Sequence, residues 1–239
     1  MTWLLLAALT LAGVGVWMSR HSQALGQSMM GLGALGLVAV VVLQVRANLL
    51  PASSKTENRA RMAVSYCLAN CLIEDLPGQS GSVLLLFPPR RDLDADAEQS
   101  YEEGFTPALR HRHGDLELKA VRLEKGGRDL SAFKSALAQD AEALAVISYA
   151  GIPNNFETLF SAGQSNAPLF YVFDANGTAN WLDALKNGRI RAAIVPRPGV
   201  NAREREGVIG MPETVFERLY LLAAPANADE VAATLKGKR

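Results

Sequence analysis

Hydrophobic residues are distributed in two ways along the chain: as long uninterrupted runs near the amino terminus, and as short segments that alternate with polar stretches from residue 79 onward. Two charge-free runs, of 16 and 17 residues, begin at Trp3 and Met29. At 1.5 Å per residue, each run covers about 25 Å as a helix, slightly less than a bilayer core of about 30 Å. The second run lengthens if Arg46 snorkels to the interface. The pattern predicts a transmembrane helical hairpin over residues 1–52, with spans at about 3–18 and 29–50.

A cleaved signal peptide over residues 1–26 is the alternative to the hairpin. Its apolar stretch has a suitable length, but no Lys or Arg precedes Trp3, so the positively charged start of a signal peptide is missing. Only Arg20 lies between the two runs, whereas four cations follow the second: Arg46, Lys55, Arg59 and Arg61. The positive-inside rule then places both ends of the hairpin in the cytoplasm. We expect the chain to lie in the cell inner membrane.

Gly31, Gly33 and Gly36 form the pattern G-x-G-x-x-G. A dinucleotide-binding loop with this pattern needs a preceding strand and a polar turn at the start of a helix. Here the glycines lie within an apolar run, where small residues let membrane helices approach each other closely. The pattern therefore predicts a surface for packing against a partner membrane protein.

Residues 53–78 have the pattern of an amphipathic helix that connects the hairpin to the rest of the chain. Ser54 and Glu57 have the spacing of a capping box, which predicts the start of the helix. Pro77 and Gly78 predict its end. Apolar and small residues fall along one stripe at helical spacing: Met62, Tyr66, Ala69 and Ile73.

Residues 79–239 contain short β-rich runs that alternate with helical patterns. The predicted strands are Val83–Phe87, Leu116–Leu123, Leu144–Tyr149, Leu169–Phe173, Ile190–Val195 and Leu219–Ala223. The predicted helices are Ala97–His113, Leu130–Gln139 with Asp129 as its cap, Asn155–Ala162, Thr178–Asn187 and Asp229–Leu235. Continuous apolar strands indicate burial on both faces. The alternation predicts an α/β domain with an open, mostly parallel, doubly wound sheet of five or six strands.

Composition and charge narrow the function classes. Lys and Arg total 24 and so do Asp and Glu, so the net charge of zero argues against a nucleic-acid-binding protein. Cys67 and Cys71 lie four residues apart on one helix face, where a disulfide would be strained and no further metal ligands lie nearby. The sequence contains no G-x-S-x-G or phosphate-binding loop motif. We therefore expect no enzymatic activity, no metal site and no cofactor.

Polar side chains follow several of the predicted strands. In open α/β sheets, ligands bind beyond the carboxyl ends of the strands, near the point where strand order reverses. The candidate ligand-binding residues at this rim are Arg90, Arg91, Tyr149, Asp174, Asn176 and Arg197. Arginines offer a planar fork of donors, and Asp174 can accept hydrogen bonds from hydroxyl pairs, so the set suits a polyol or a small anion. The other interpretation is that the arginines are solvated loop charges and that Asp174 caps the turn after it.

The segments from residue 83 to residue 177 resemble the amino-terminal lobe of the type I periplasmic binding proteins, the family that includes the ligand domains of LacI-type repressors. The resemblance is carried by the successive segments VLLLFPP, YEEGFTPAL, LELKAV, LSAFKSAL, EALAVISYA and APLFYVFDANG. A Gly-Phe pair in the first helix is common in that family, and here it is Gly104-Phe105. The strand from Pro168 to Asp174 is similar to a family strand that ends in an acid.

Two later segments extend the resemblance to about 155 residues. Asn187–Gly199 is similar to a segment of the family's second lobe, and Tyr220–Val231 resembles its closing strand. The family has two lobes around a hinged cleft, whereas this chain has room for a single lobe. The resemblance implies a sugar ligand near Asp174, and it implies a periplasmic location, which opposes the cytoplasmic side that the charges favour.

Two functions remain open on the sequence. The first is a membrane-anchored binding or sensing module, which recognises a small polar ligand such as a sugar, or a partner protein, through the rim of its sheet. The alternative is a structural or assembly subunit of a membrane complex that has no small-molecule ligand. The expected partners are the lipid bilayer, a sugar, and a membrane protein at Gly31, Gly33 and Gly36.

Overall fold

The computed structural model describes residues 52–109, 115–126, 128–160, 167–200 and 210–237. The predicted hairpin, with its spans at about 3–18 and 29–50, lies outside these described residues, as do Gly31, Gly33 and Gly36. Within the described part of the chain, no helix has both the length and the hydropathy needed to cross a bilayer. Thr56–Arg239 forms one compact unit.

The described elements alternate between helix and strand. The helices are α1 Ala52–Asp75, α2 Ala95–Leu109, α3 Leu130–Leu137, α4 Leu182–Lys186, α5 Pro212–Leu219 and α6 Ala228–Lys236. Two short 3-10 turns are Ala138–Asp140 and Phe156–Thr158. The strands are β1 Gly81–Phe87, β2 Leu116–Arg122, β3 Ala145–Ser148, β4 Leu169–Phe173, β5 Ala192–Pro196 and β6 Tyr220–Ala223.

The six strands form one sheet in the order β2-β1-β3-β4-β5-β6. All neighbouring pairs are parallel except β5 and β6, which run antiparallel. The order reverses between β1 and β3, because the chain moves from β1 outward to β2 and returns past β1 to β3. The predicted α/β class and mostly parallel sheet are confirmed.

Alternate residues of the strands contribute to two separate cores. In β1, Val83, Leu85 and Phe87 contact the core under α1 and α2, whereas Leu84 and Leu86 contact the core under α3, α4 and α6. This alternation follows from the two-residue period of a strand. Helices cover both faces, which explains why the central strands are apolar at nearly every position.

Helix α1 forms one cover of the sheet. Leu68 and Leu72 are fully buried on the face that it presents to the strands. Its last turn is fixed at Asp75, which accepts a hydrogen bond from the hydroxyl of Tyr171 at 2.6 Å and pairs with Arg191 at 3.0 Å. The helix begins at Ala52, so Ser54 already lies within it and the predicted start is two residues late.

Helices α1 and α2 cross closely at Gly104. A Cβ atom at this position would lie 2.5 Å from the carbonyl oxygen of Met62 and 2.7 Å from the Cβ of Ser65. Such distances are shorter than any real carbon contact, so the crossing requires glycine. The Gly-Phe pair noted in the sequence therefore has a packing role here, with Phe105 fully buried beside it.

Several predicted elements occur at the expected places. Asp129 caps α3, because its Oδ1 accepts hydrogen bonds from the backbone N–H groups of Ser131 and Ala132 at 2.8 and 3.3 Å. Helix α4 is shorter than predicted, since the residues before Leu182 form turns instead. Helix α5 was not predicted, and it buries Val215 and Leu219 against Ala60 and Ala63 of α1.

Candidate functional site

The candidate site lies at the carboxyl ends of the parallel strands, where β1 and β3 are neighbours. The loop after β1 leads to α2 on one face of the sheet, and the chain after β3 leads to the opposite face. Loops that diverge in this way leave a crevice between them, and this is where open α/β sheets bind ligands. We call the loops at these strand ends the rim: residues 88–94 after β1, 123–129 after β2, 149–155 after β3 and 174–181 after β4.

Gly151 marks open space at the centre of the rim. Its φ is +77°, and a Cβ atom placed there would have no neighbour within 4 Å. Its carbonyl is fixed from below, because the buried hydroxyl of Ser148 donates a hydrogen bond to it at 2.6 Å. The loop after β3 therefore leaves room for another molecule beside its backbone, at the point where strand order reverses.

Arg90 and Arg91 lie in the loop after β1 and are exposed. The side chain of Arg91 is 75% exposed, and its Nε lies 3.6 Å from a carboxylate oxygen of Asp92. A solvated pair at this distance contributes little to stability, so the guanidinium can exchange partners at low cost. Both arginines are available to a ligand at the rim.

Tyr149 is the first residue after β3, and its side chain points into the core. Its hydroxyl lies 2.6 Å from the hydroxyl of Ser65 on α1, and the residue is only 6% exposed. Its ring stacks on Phe87 with centroids 5.0 Å apart and contacts Tyr101 with centroids 4.2 Å apart. Burial raises the pKa of the Tyr149 phenol well above its ordinary value. Tyr149 thus supports the rim from beneath.

Asp174 is the first residue after β4, and the residue is only 5% exposed. One carboxylate oxygen accepts hydrogen bonds from the hydroxyl of Thr178, the backbone N–H of Ala179 and the indole N–H of Trp181, each at 3.1 Å. The other accepts one from the backbone N–H of Asn176 at 3.2 Å. These bonds hold the loop after β4 in a fixed shape and leave the side chain of Asn176 exposed.

The fixed loop includes strained backbone. Ala179 has a φ of +57°, a left-handed conformation that residues other than glycine adopt at a cost. Asn155, at the end of the loop after β3, has a φ of +59°. Both described non-glycine residues with positive φ therefore lie in rim loops. Strained backbone is concentrated at functional sites in proteins.

Arg197 follows β5, at the same edge of the sheet but beyond the four loops of the rim. Its Nη2 donates hydrogen bonds to the carbonyl oxygens of Glu217 at 2.8 Å and Tyr220 at 3.3 Å. A cation at this position satisfies carbonyls at the carboxyl end of α5 and interacts favourably with the helix dipole. Neighbouring strands are about 4.8 Å apart, so roughly 14 Å separates the end of β5 from the end of β1.

The structure thus divides the six predicted residues into two groups. Arg90, Arg91 and Asn176 are exposed on the rim. Tyr149, Asp174 and Arg197 make hydrogen bonds within the chain. Sequence reasoning missed Gly151 and Arg128, although both follow predicted structural elements and Gly151 precedes a Pro-Asn-Asn turn signal. No group of side chains suited to holding a metal ion occurs in the part of the chain that the structure describes.

The solved structures that the chain resembles include sugar-binding, transport and regulatory proteins. A galactofuranose-binding protein matches with a TM-score of 0.51 at 12% identity, covering 74% of this chain and 63% of that one. A carbohydrate transporter from Acidothermus cellulolyticus, solved with myo-inositol, matches with a TM-score of 0.51 at 17% identity, covering 75% and 62%. A LacI-family regulator from Brachyspira murdochii matches with a TM-score of 0.51 at 16% identity, covering 74% and 64%.

These likenesses show the fold. The chain has the type I periplasmic binding protein fold, so the resemblance noted in the sequence is confirmed at that level. The chain spans less than two thirds of the length of these proteins. The three are described as binding, transport or regulatory proteins, and none as an enzyme. No protein-family model matches the sequence, and no curated protein matches it at a significant level.

Proposed function

We propose that the chain is a binding module that recognises a small sugar at the rim of its sheet. The observation that carries this proposal is the open space beside the backbone of Gly151, where strand order reverses and where Arg90 and Arg91 lie exposed on the adjacent loop. The similar structures named for galactofuranose and myo-inositol binding support a sugar as the ligand class. The fold by itself does not decide this, because one fold serves many functions.

The six predicted residues take two roles in this proposal. Arg90, Arg91 and Asn176 contact the ligand, since their side chains reach solvent at the rim. Asp174 holds the loop that carries Asn176. Tyr149 and Arg197 are hydrogen-bonded elsewhere within the chain, to Ser65 and to the end of α5, and support the sheet instead. Fixed loops lower the entropic cost of binding, because the contacts are already in position.

A sugar panel tests the proposal. Purified full-length chain is titrated with neutral sugars and inositols, and the melting temperature and the heat of binding are followed. We expect at least one sugar to stabilise the protein, and we expect Asn176→Ala to weaken that binding. Arg189→Gln is the matched control, because Arg189 is an exposed cation at the opposite end of the sheet. A folded protein that no sugar stabilises would contradict the proposal.

We also propose that residues 1–52 anchor the module in a membrane. The two charge-free runs of 16 and 17 residues support the proposal. The chain should stay with the membrane after extraction at alkaline pH, and release into the supernatant would contradict anchoring. An impermeant thiol reagent measures which side of the inner membrane the module faces. The chain used lacks Cys67 and Cys71 and carries a single cysteine engineered on the surface of the module.

An assembly subunit without a small ligand is the second candidate function. The observation that favours it is that Tyr149, Asp174 and Arg197 are already satisfied within the chain, which leaves fewer side chains free for a ligand. Cross-linking in native membranes separates the two candidates. A specific cross-linked neighbour, together with no response to any sugar, would support this second function.

A further inference from the structure

We infer that the sugar bound at the rim carries an oxyanion, either a carboxylate or a phosphate, and that Arg90, Arg91 and Arg128 bind it. This inference rests on the proposed sugar-binding function and narrows the class of its substrate. The three arginines lie in the loops after β1 and β2, at the end of the rim next to the crevice. We call this region the basic corner.

The loops of the basic corner are in contact with one another. Nη2 of Arg91 lies 3.9 Å from the position that a Cβ atom of Gly126 would occupy, which places the guanidinium of one loop over the backbone of the next. The backbone N–H of Asn154, in the loop after β3, donates a hydrogen bond to the carbonyl oxygen of Arg128 at 3.2 Å. The arginines of two loops and the crevice of the third therefore belong to one continuous surface.

The positive charges of the corner are close enough to affect each other. Arg122, at the end of β2, has a pKa below its ordinary value, first because of burial and second because of the charge of Arg90. Arg122 itself is engaged, since it pairs with Glu98 and donates to the carbonyl oxygen of Leu93 at 3.1 Å. Arg90, Arg91 and Arg128 remain exposed around it.

Two of the neighbouring carboxylates accept hydrogen bonds from backbone N–H groups. Asp94 accepts a hydrogen bond from the backbone N–H of Ala97 at 2.7 Å, at the start of α2. Asp129 caps α3 and lies 3.4 Å from the ammonium group of Lys125. These bonds to backbone donors orient both carboxylates toward helix amino termini.

Three exposed acids lie in the corner, Asp92, Asp94 and Glu124, against the exposed cations Arg90, Arg91, Lys125 and Arg128. Asp92 makes only the solvated contact with Arg91, in which the two side chains are 48% and 75% exposed, and Glu124 is exposed. An anionic ligand can replace Asp92 at Arg91 because exposed ion pairs are weak. Carboxylate and phosphate groups match the planar donor fork of arginine, which neutral sugar hydroxyls do not. The corner therefore favours an acidic sugar over a neutral one.

Calorimetric titration of the full-length chain tests the inference with three probes at matched ionic strength: glucose, glucuronate and glucose 6-phosphate. We expect one of the two acidic sugars to bind at least about tenfold more tightly than glucose, since a charge-assisted hydrogen bond contributes roughly that factor. The acidic sugar that binds identifies the oxyanion. Its affinity should fall as sodium chloride is raised, because salt screens exposed charges.

Two variants assign the effect to the basic corner. Arg90→Gln and Arg128→Gln should each weaken binding of the acidic sugar about tenfold, and Arg128→Gln should leave the affinity for glucose within about twofold. Arg189→Gln, which removes an exposed cation at the opposite end of the sheet, should change neither affinity. The melting temperature of each variant shows whether it is folded.

The outcomes separate this inference from the proposed function. Glucose binding as tightly as both acidic sugars would overturn the inference and leave the proposed function standing. Preference for an acidic sugar that survives both arginine substitutions would also overturn it, because another surface would then hold the anion. If none of these sugars nor any neutral sugar of the panel binds the folded chain, the proposed function fails and the inference with it.

Discussion

Asp174 lies at the end of β4 with both carboxylate oxygens committed to the loop that follows. It is 5% exposed and accepts hydrogen bonds from four donors, among them the indole N–H of the fully buried Trp181. Asp174→Ala leaves these donors without an acceptor, and each buried unsatisfied donor costs about 1–3 kcal/mol. We expect the free energy of unfolding to fall by about 3 kcal/mol, measured by urea denaturation. Asp183→Ala, at an exposed acid on α4, should cost no more than about 0.5 kcal/mol. Equal effects of the two substitutions would contradict this role of Asp174.

Three buried tyrosines make the stability sensitive to alkaline pH. Burial raises the pKa values of Tyr101, Tyr149 and Tyr171, and at Tyr171 the hydrogen bond to Asp75 adds to the increase. An unfolded tyrosine has a pKa of about 10. Above that pH, the unfolded chain loses phenol protons that the folded chain keeps, so folding becomes less favourable as pH rises.

The contribution of these phenols is therefore complete below pH 10 and is lost as pH rises toward their folded pKa values. We expect the free energy of unfolding to fall between about pH 10 and pH 12, and we expect Tyr101→Phe to reduce the slope. Urea denaturation at each pH measures both. A free energy of unfolding that stays constant over this range, or a slope unchanged by the substitution, would show that the phenols are not protected.

At the scale of single residues, the sequence predicted which residues follow the strands at the rim, but it did not predict the direction of their side chains. Tyr149 directly follows a predicted strand, and its position at the rim was readable from that pattern. Its direction depends on Ser65, which is 84 positions away along the chain and reaches it only through the packing of α1. Asp174 caps the turn after it, as the second of the two interpretations of the sequence expected. Its hydrogen-bond partners all lie within seven residues along the chain.

At the scale of elements, the crossing of α1 and α2 depends on the absence of a side chain at Gly104. Gly→Ala within a helix ordinarily stabilises it by about 1 kcal/mol. Here the new Cβ would lie 2.5 Å from the backbone oxygen of Met62, so we expect Gly104→Ala to destabilise the fold by about 2 kcal/mol in thermal or urea unfolding. Gly126→Ala is the control, because its nearest neighbour is a flexible arginine nitrogen at 3.9 Å. Stabilisation by Gly104→Ala would show that the helices do not cross this closely.

Helix α1 is needed as a cover for the sheet. Without it, one face of the strands would expose residues that are fully buried, including Val83, Leu85 and Ile147. We expect a fragment of residues 56–239 to unfold cooperatively. A fragment of residues 79–239 should lack the near-ultraviolet circular dichroism of a fixed core and should bind a hydrophobic dye. Cooperative unfolding of both fragments at the same denaturant concentration would contradict this role.

The elements that were predicted well are those whose signal is local. The strand Leu169–Phe173 is confirmed with the same bounds, because an apolar run between turn residues needs no tertiary information. Helix α5 was not predicted because its buried residues, Val215 and Leu219, form only a short apolar stripe. That stripe is buried through contact with Ala60 and Ala63, which are distant in the sequence. Helix α4 begins later than predicted because Asp174 holds the preceding residues in turns.

At the scale of the whole molecule, the alternation of strands and helices was sufficient to predict a mostly parallel sheet covered on both faces. The antiparallel direction of β6 was not predicted, because a four-residue strand has the same pattern in either direction. The order of the strands was not predicted. That order places the reversal between β1 and β3 beside the exposed arginines of the rim, where we propose that the ligand binds.

The central claim is that this single wound sheet binds a sugar at the rim where its strand order reverses. Hydrogen–deuterium exchange of the full-length chain, with and without the sugar that binds best in the titrations, tests it most directly. We expect added protection in residues 88–94, 123–129, 149–155 and 174–181, and unchanged exchange in the turns at the opposite end of the sheet. Protection confined to that opposite end, or exchange that no sugar alters, would contradict the claim.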